Sequence, residues 1–269
     1  MMRANYHTHT YRCRHAGQWR DEEYVEAALA GGFQVLGFSD HTPWPYHSDY
    51  VSGNERMPMD ALEDYIASVQ ALRAQYRGRL TIYLGLECEY FPDYLDWLRE
   101  MHGRMDYLIL GNHFYRTDEF GAPYFGVTTT AADIYRYLEV TLAGMATGLY
   151  RYLAHPELPV ACYPAFDDVC RDLSRQLCRA ARELSLPLEY NLMGTFKRGR
   201  GYYTDTVGYP AAEFWRIAAE EGCTAIIGVD AHRPAMLSDT TDFFAAQKFL
   251  KSLGMPLLEQ VPGLEAEDA

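Results

Sequence analysis

Seven of the nine histidines stand in short polar clusters, each directly after an apolar run. His7 and His9 lie in YHTHT, His15 in CRHA, His41 in FSDHT, His113 in GNHF, His155 in AHPE and His232 in VDAH. Glu87 in LGLECEY and Asp230 beside His232 occupy equivalent places. Neutral imidazole is the commonest protein metal ligand, and carboxylates serve as co-ligands or bridges. Residues i and i+2 of a strand point to one face, so His7 and His9 can aim at a single ion, and Asp230 and His232 repeat that geometry. On the first and last strands of a closing barrel the two pairs would be neighbours. Nine such groups at strand ends around one barrel suggest a multinuclear metal site.

The elements that must position these groups alternate regularly. A short strand is expected at RANYHTH, followed by FQVLGFS (33–39), LTIYLGLE (80–87), MDYLILGN (105–112), YRYLAH (150–155), LPLEYN (186–191) and TAIIGVD (224–230). Helical patterns separate them at 21–32, 61–76, 131–148, 166–184, 211–222 and 242–254. Short apolar strands alternating with helices indicate an α/β protein with a helix-covered parallel sheet. Seven βα units suit a closed barrel, and in such barrels reactive residues gather at the C-terminal strand ends, where the histidine clusters fall.

The 269-residue chain is read as one domain spanning 1–269, with a frayed tail from about 262. Its net charge of -13 argues against nucleic acid as a partner, although several bound cations would reverse the sign locally. The six cysteines form no CxxC pair and read as reduced thiols. With no secretory leader and no membrane-length apolar run, a cytoplasmic protein without membrane partners is expected.

The ordered set His7-Thr-His9, Asp40-His41, Glu87, Asn112-His113, His155-Pro156 and Asp230-Ala-His232 resembles the polymerase and histidinol phosphatase (PHP) superfamily of metal-dependent phosphoesterases. The resemblance covers about residues 6–232 and implies a distorted (β/α)7 barrel, TIM-like, with the metal site at its C-terminal mouth. It further implies two to three divalent ions, zinc, manganese or iron. His7, His9, Glu87 and Asp230 would hold one. Glu87, as a bridge, with His113 and His155 would hold a second, and His15, His41 and His232 a third. Asp40 is read as the partner that fixes the His41 ring. Cys13 is read as a buried thiol with metal ligation as the alternative, and Glu89 as lining the mouth or supporting a ligand. His47 and His102 match no position of the pattern.

Metal-bound hydroxide would attack the phosphate ester, so no serine or cysteine nucleophile is needed. Asp230 and Glu87 would be catalytic through the metals, and a cation must meet the phosphoryl oxygens. The segment TFKRGRGYYTD (195–205) offers Lys197, Arg198 and Arg200, and the resemblance favours Arg198 as both catalytic and substrate-binding. Asn191 would bind substrate or fix the start of that loop. Trp44, Phe114, Tyr115, Tyr202 and Tyr203 are candidate walls, with loop packing the alternative for Trp44. HTHTYRCRHA, FSDHTPWP and LGNHF resemble the histidinol-phosphatase branch, which implies hydrolysis of L-histidinol phosphate in histidine biosynthesis. A phosphoesterase acting on a nucleotide, sugar phosphate or phosphotyrosine is the alternative, and a non-catalytic metal-binding regulatory module is a third reading.

Overall fold

Residues 3–53 and 55–264 are described by the structure, a computed structural model. Strands β1 (Ala4–Asn5), β2 (Val35–His41), β3 (Thr81–Cys88) and β4 (Tyr107–Leu110) pair in that order, all parallel. β5 (Leu188–Asn191) and β6 (Ala225–Gly228) form a second parallel pair. Leu153 bridges the two sets, in parallel register with Leu110 on one side and Leu188 on the other. Thr8 bridges to Ala231, which joins β1 to the exit of β6 and closes the ring. The result is the expected distorted (β/α)7 barrel. Its fifth staff is shorter than the expected strand at 150–155, because His155 turns the chain out of line with a left-handed backbone (φ 29).

Helices cover the outside: α1 (Asp21–Ala30), α2 (Leu62–Gln75), α3 (Leu95–Arg104), α4 (Ala131–Met145), α5 (Asp168–Glu183), α6 (Leu192–Gly199), α7 (Ala212–Glu220), α8 (Ala235–Ser238) and α9 (Thr241–Ser252). Their ends follow local chemistry. α1 opens on Asp21, Glu22 and Glu23, which suit the positive end of the helix dipole, and stops at Gly31 and Gly32. The Asp167 side chain accepts the Val169 and Cys170 N–H groups at the start of α5. Of the histidines outside the pattern, His102 lies in the last turn of α3, where a cation suits the dipole, and His47 is exposed. No helix among the described residues is long and apolar enough to cross a membrane.

Strand alternation decides what faces the site. Leu36 and Phe38 of β2, Leu84 and Leu86 of β3, and Leu108 and Leu110 of β4 pack outward against the helices. The alternate residues Val35, Tyr83, Tyr107 and Ile109 fill the barrel with Ala4, Tyr6, Tyr152 and Ile226. His41 and Glu87 share the inward parity and sit at the upper ends of β2 and β3. The Tyr107 hydroxyl ties this interior together, donating to the Tyr6 carbonyl at 2.7 Å and the Phe38 carbonyl at 3.0 Å. Tyr107→Phe removes the one O–H these two buried carbonyls share and is expected to cost about 1–3 kcal/mol, read as a lowered urea midpoint with an unchanged slope.

The chain end departs from the expected fraying. Val261 and Leu264 are buried in the same interior cluster, so the ordered chain closes the barrel floor as far as Leu264. Residues 265–269, the rest of the expected tail, lie outside the described residues.

Candidate metal centre

The first and last strands meet as their two histidine pairs require. The His9 N–H donates to the Ala231 carbonyl at 2.9 Å and the Ala231 N–H to the His7 carbonyl at 3.1 Å. This stacks the His9 and His232 rings with centroids 4.2 Å apart. Glu87 lies at the centre. Its Oε2 is 3.0 Å from His41 Nδ1, 3.3 Å from His7 Nε2 and 3.5 Å from His9 Nε2. Its Oε1 is 2.7 Å from His155 Nε2 and 3.4 Å from His113 Nε2. Asp230 Oδ1 stands 3.1 Å from His9 Nε2 and 3.6 Å from His7 Nε2. At the rim, His15 Nε2 and His232 Nε2 are 2.8 Å apart.

Close contact is not the same as pairing. His7 Nε2, His9 Nε2 and Asp230 Oδ1 are buried and have no hydrogen-bond partner. Buried polar atoms are almost always satisfied, so atoms that crowd a shared point without bonding one another fit a missing cation. Ligand atoms converge as His7, His9 and Glu87, as His41, Glu87 and His113, and as His15, His41 and His232. Imidazole and carboxylate donors in such sets suit zinc, manganese or iron.

The electrostatics agree. Burial opposes a charged His7, but Glu189, Asp230 and Glu87 outweigh it and hold its pKa well above the ordinary value. Burial likewise opposes a charged His9, and Asp230 and Asp40 reverse this to about 9. Burial opposes ionisation of Glu87, yet His41, His7 and His113 keep its carboxyl well below the usual range. At the rim burial wins: His41 is driven well below its ordinary value, and His15 falls to about 4 through burial, His232 and His9. The floor therefore attracts positive charge while the rim stays neutral, which suits metal ions that displace protons on binding.

Supporting groups fix the ring orientations. Glu189 Oε1 takes His7 Nδ1 at 2.8 Å, and its Oε2 accepts the His155 N–H at 3.0 Å and Asn191 Nδ2 at 2.9 Å. Glu89 Oε1 takes His113 Nδ1 at 3.1 Å. Arg56 grips Glu89 with Nη2 at 2.9 Å and Nη1 at 3.1 Å, and its Nε reaches Asp118 Oδ2 at 2.7 Å. Room for these carboxylates comes from glycine: a Cβ on Gly111 would strike the Glu87 carboxylate, and one on Gly228 the Glu189 carboxylate. His155 and Asp230 both hold left-handed backbones, with φ 29 and φ 54. For such residues this costs about 1–3 kcal/mol, and the surrounding contacts hold it in place.

A family model described as the PHP domain matches residues 5–191. The chain belongs to the PHP domain family.

Relatives of this PHP chain carry one description repeatedly. It is 32% identical over 234 residues to the "Probable histidinol-phosphatase" of Deinococcus radiodurans, covering 85% of each chain. It is 34% identical over 124 residues to the histidinol-phosphatase of Bacillus subtilis, covering 44% of this chain and 46% of that one. The crystal structure of histidinol phosphate phosphatase from Lactococcus lactis, complexed with zinc, L-histidinol and phosphate, has a TM-score of 0.71 at 16% identity, covering 99% of each chain. At that identity the likeness is one of fold.

The PHP site departs from the sequence expectations at Arg198, Asp40, Tyr115 and Tyr203, and takes the packing alternative at Trp44 and the loop-fixing alternative at Asn191. Arg198 does not face the mouth; its Nη2 donates to the Val207 carbonyl at 3.0 Å and the Pro210 carbonyl at 3.4 Å. Residues 192–199 are helix rather than loop, so Lys197 and Arg200 share a face and line the cavity while Arg198 turns about 100° away. Trp44 is buried behind the wall, its Nε1 3.1 Å from Glu89 Oε2 and its ring 4.8 Å from that of Phe91. Asp40 faces His9 rather than the His41 ring, with Oδ1 3.5 Å from His9 Nδ1, because adjacent strand residues point to opposite faces. Asn191 fixes the start of the segment, the second of its two expected roles: its Oδ1 accepts the Met193 N–H at 2.9 Å and its Nδ2 donates to Glu189 and Asp230. Phe114 and Tyr202 line the cavity, as expected. Tyr115 instead bonds Glu139, and the Tyr203 ring packs at a tilt against that of Tyr209, with centroids 5.8 Å apart.

Cys13 lies within reach of the point shared by His9 and His232, but burial and Asp40 push its thiol well above the ordinary value. Two residues went unread in the sequence: Glu189 and Arg56. Glu189 had a signal, since it stands two residues before Asn191 on an inward-facing strand parity.

Proposed function

We propose that this PHP chain is a phosphomonoesterase that hydrolyses L-histidinol phosphate to L-histidinol and phosphate. The observation that carries the reading is one cavity of about 620 Å³ lined by His15, His41, Glu87, His113, His155, Asp230 and His232, with Lys197 and Arg200 in its wall. The descriptions of its relatives as histidinol-phosphatases support the choice of ester. We assign His7, His9, Glu87 and Asp230 to one divalent ion, Glu87, His113 and His155 to a second, and His15, His41 and His232 to a third. Zinc, manganese and iron all suit these donors. All six cysteines are free, as a reducing cytoplasm leaves them, and we place the enzyme there.

Divalent ions held here lower the pKa of coordinated water and draw charge from phosphoryl oxygens. The chain supplies the rest. No serine, threonine or cysteine among the described residues lines the cavity, and the histidines and carboxylates assigned to the metals would be occupied as ligands, which favours water as the nucleophile. Glu189 and Glu89 keep the His7 and His113 rings turned with Nε2 toward the cluster. Lys197 and Arg200 offer N–H donors to the non-bridging oxygens, while Phe114, Tyr124 and Leu158 provide an apolar wall for an imidazole ring.

The test is phosphate release by manganese- or zinc-loaded protein on L-histidinol phosphate beside nucleotide, sugar-phosphate and phosphotyrosine esters. The expected kcat/KM for histidinol phosphate exceeds the others by about 100-fold, a gap of about 2.7 kcal/mol in transition-state binding. A preference for another ester moves the protein to a different small-molecule phosphatase. No turnover on any ester leaves a metal-binding module.

A further inference from the structure

We propose that Arg56 is a positioning residue for the ion assigned to Glu87, His113 and His155: it locks Glu89 against His113 and so keeps the His113 ring turned with Nε2 toward that ion. This role rests on the metal assignment made above and does not depend on which ester is cleaved. Arg56 is 1% exposed. It joins the exits of three neighbouring staffs. Its Nη1 donates to the Thr42 carbonyl beyond β2 at 3.0 Å and to Glu89 Oε2 beyond β3 at 3.1 Å, and its Nη2 donates to Glu89 Oε1 at 2.9 Å. Its Nε donates to Asp118 Oδ2, in the segment after β4, at 2.7 Å. Asp118 is fixed in turn by the Tyr46 hydroxyl, which lies 2.7 Å and 2.8 Å from its two oxygens. On the site side, Glu89 Oε1 meets His113 Nδ1 at 3.1 Å, while His113 Nε2 stands 3.4 Å from Glu87 Oε1.

Arg56 lines the cavity, yet it is not a free cation there. Two buried carboxylates, Glu89 and Asp118, answer its charge from both edges of the guanidinium fork. What it can do for the site therefore runs through Glu89. An imidazole that donates from Nδ1 carries its lone pair on Nε2, the atom a cation needs. Glu89 can accept from Nδ1 only while it faces the ring, and contact with both of its oxygens stops it from swinging away. Removing one partner of a buried ion pair leaves the other charge uncompensated. Without Arg56 the Glu89 carboxylate is drawn to its remaining donor, Trp44 Nε1, and to the open cavity, and the His113 ring loses its acceptor. The rings of the neighbouring ion have other supports, since His7 leans on Glu189 and His9 faces Asp40. The effect of Arg56 thus falls on one ion of the cluster.

The test uses the full chain, freed of metal and reloaded with cobalt(II), whose visible absorption reports each bound equivalent. Affinities are measured by competition with a chelator for wild type, Arg56→Met, Arg56→Lys, Glu89→Gln and the double variant Arg56→Met/Glu89→Gln. Arg56→Met is expected to weaken one cobalt equivalent by about 10–100-fold and to leave the others at wild-type affinity. Arg56→Lys is expected to show an intermediate loss, because the charge returns without the planar fork. The double variant is expected to bind that equivalent no worse than Glu89→Gln alone, because Arg56 acts through that carboxylate. Wild-type affinity in Arg56→Met overturns the role, as does a loss spread evenly over every equivalent or one that adds in full to the loss in Glu89→Gln. If Arg56→Met fails to fold, Arg56→Lys carries the test, and affinity equal to wild type in that variant overturns the role. A wild-type protein that binds no cobalt removes the metal centre and the role of Arg56 together. Cobalt binding that depends on Arg56 in a protein that turns over no ester sinks the phosphatase reading and leaves the role of Arg56 standing.

Discussion

Glu87→Gln is expected to reduce turnover by on the order of 10³-fold or more and to lower the metal content of the purified protein. The side chain keeps its shape, so the change isolates charge and donor chemistry. In the native protein five imidazoles approach the two oxygens of Glu87 within 3.5 Å. A carboxamide puts an N–H₂ donor where an acceptor is needed and removes the negative charge that offsets bound cations. Gly111 leaves no slack for the group to swing aside, since even a Cβ there would meet Glu87. Metal analysis by mass spectrometry with kcat measured on the same sample gives the result. Full metal content together with wild-type kcat would remove Glu87 from the centre of the site.

Much of this centre was legible because two periodicities are rigid. The i, i+2 alternation of a strand fixes His7 with His9 and Asp230 with His232, and barrel closure through Thr8 and Ala231 then makes the pairs meet. The seven-staff barrel was legible for the same reason, although the fifth staff shrank to the single bridge at Leu153. Failures occurred where a local element had no strong pattern. The segment 192–199 carries glycine and basic residues that read as loop, yet Asn191 caps it into a helix, and that turn exchanged Arg198 for Arg200 at the mouth. Trp44, which follows a histidine cluster, was open in sequence between a pocket wall and loop packing. Its indole bonds Glu89, a pairing set by three-dimensional proximity alone, which decides for packing.

Glu189→Gln should act on the reaction without touching a metal ligand's own atoms. Three donors converge on this buried carboxylate: His7 Nδ1 on Oε1, and the His155 N–H and Asn191 Nδ2 on Oε2. Glutamine can accept at only one position. If its oxygen stays with His155 and Asn191, its amide nitrogen faces His7 Nδ1, and the ring must either present a lone pair there or rotate. Presenting the lone pair puts the proton on Nε2, the atom that faces Glu87 and Asp230. Either outcome degrades His7 as a ligand while leaving the other imidazoles in place. Loss of such a supporting carboxylate typically costs about 10–100-fold in metal affinity or activity. The expected result is therefore a smaller loss than for Glu87→Gln, recovered in part by excess metal. Glu189→Asp keeps the charge but withdraws it from His7, and should likewise respond to added metal. Activity that falls equally in both variants and never recovers with metal would show that Glu189 supports the barrel rather than the His7 ring. Wild-type activity in Glu189→Gln at limiting metal would show that the ring is held without it.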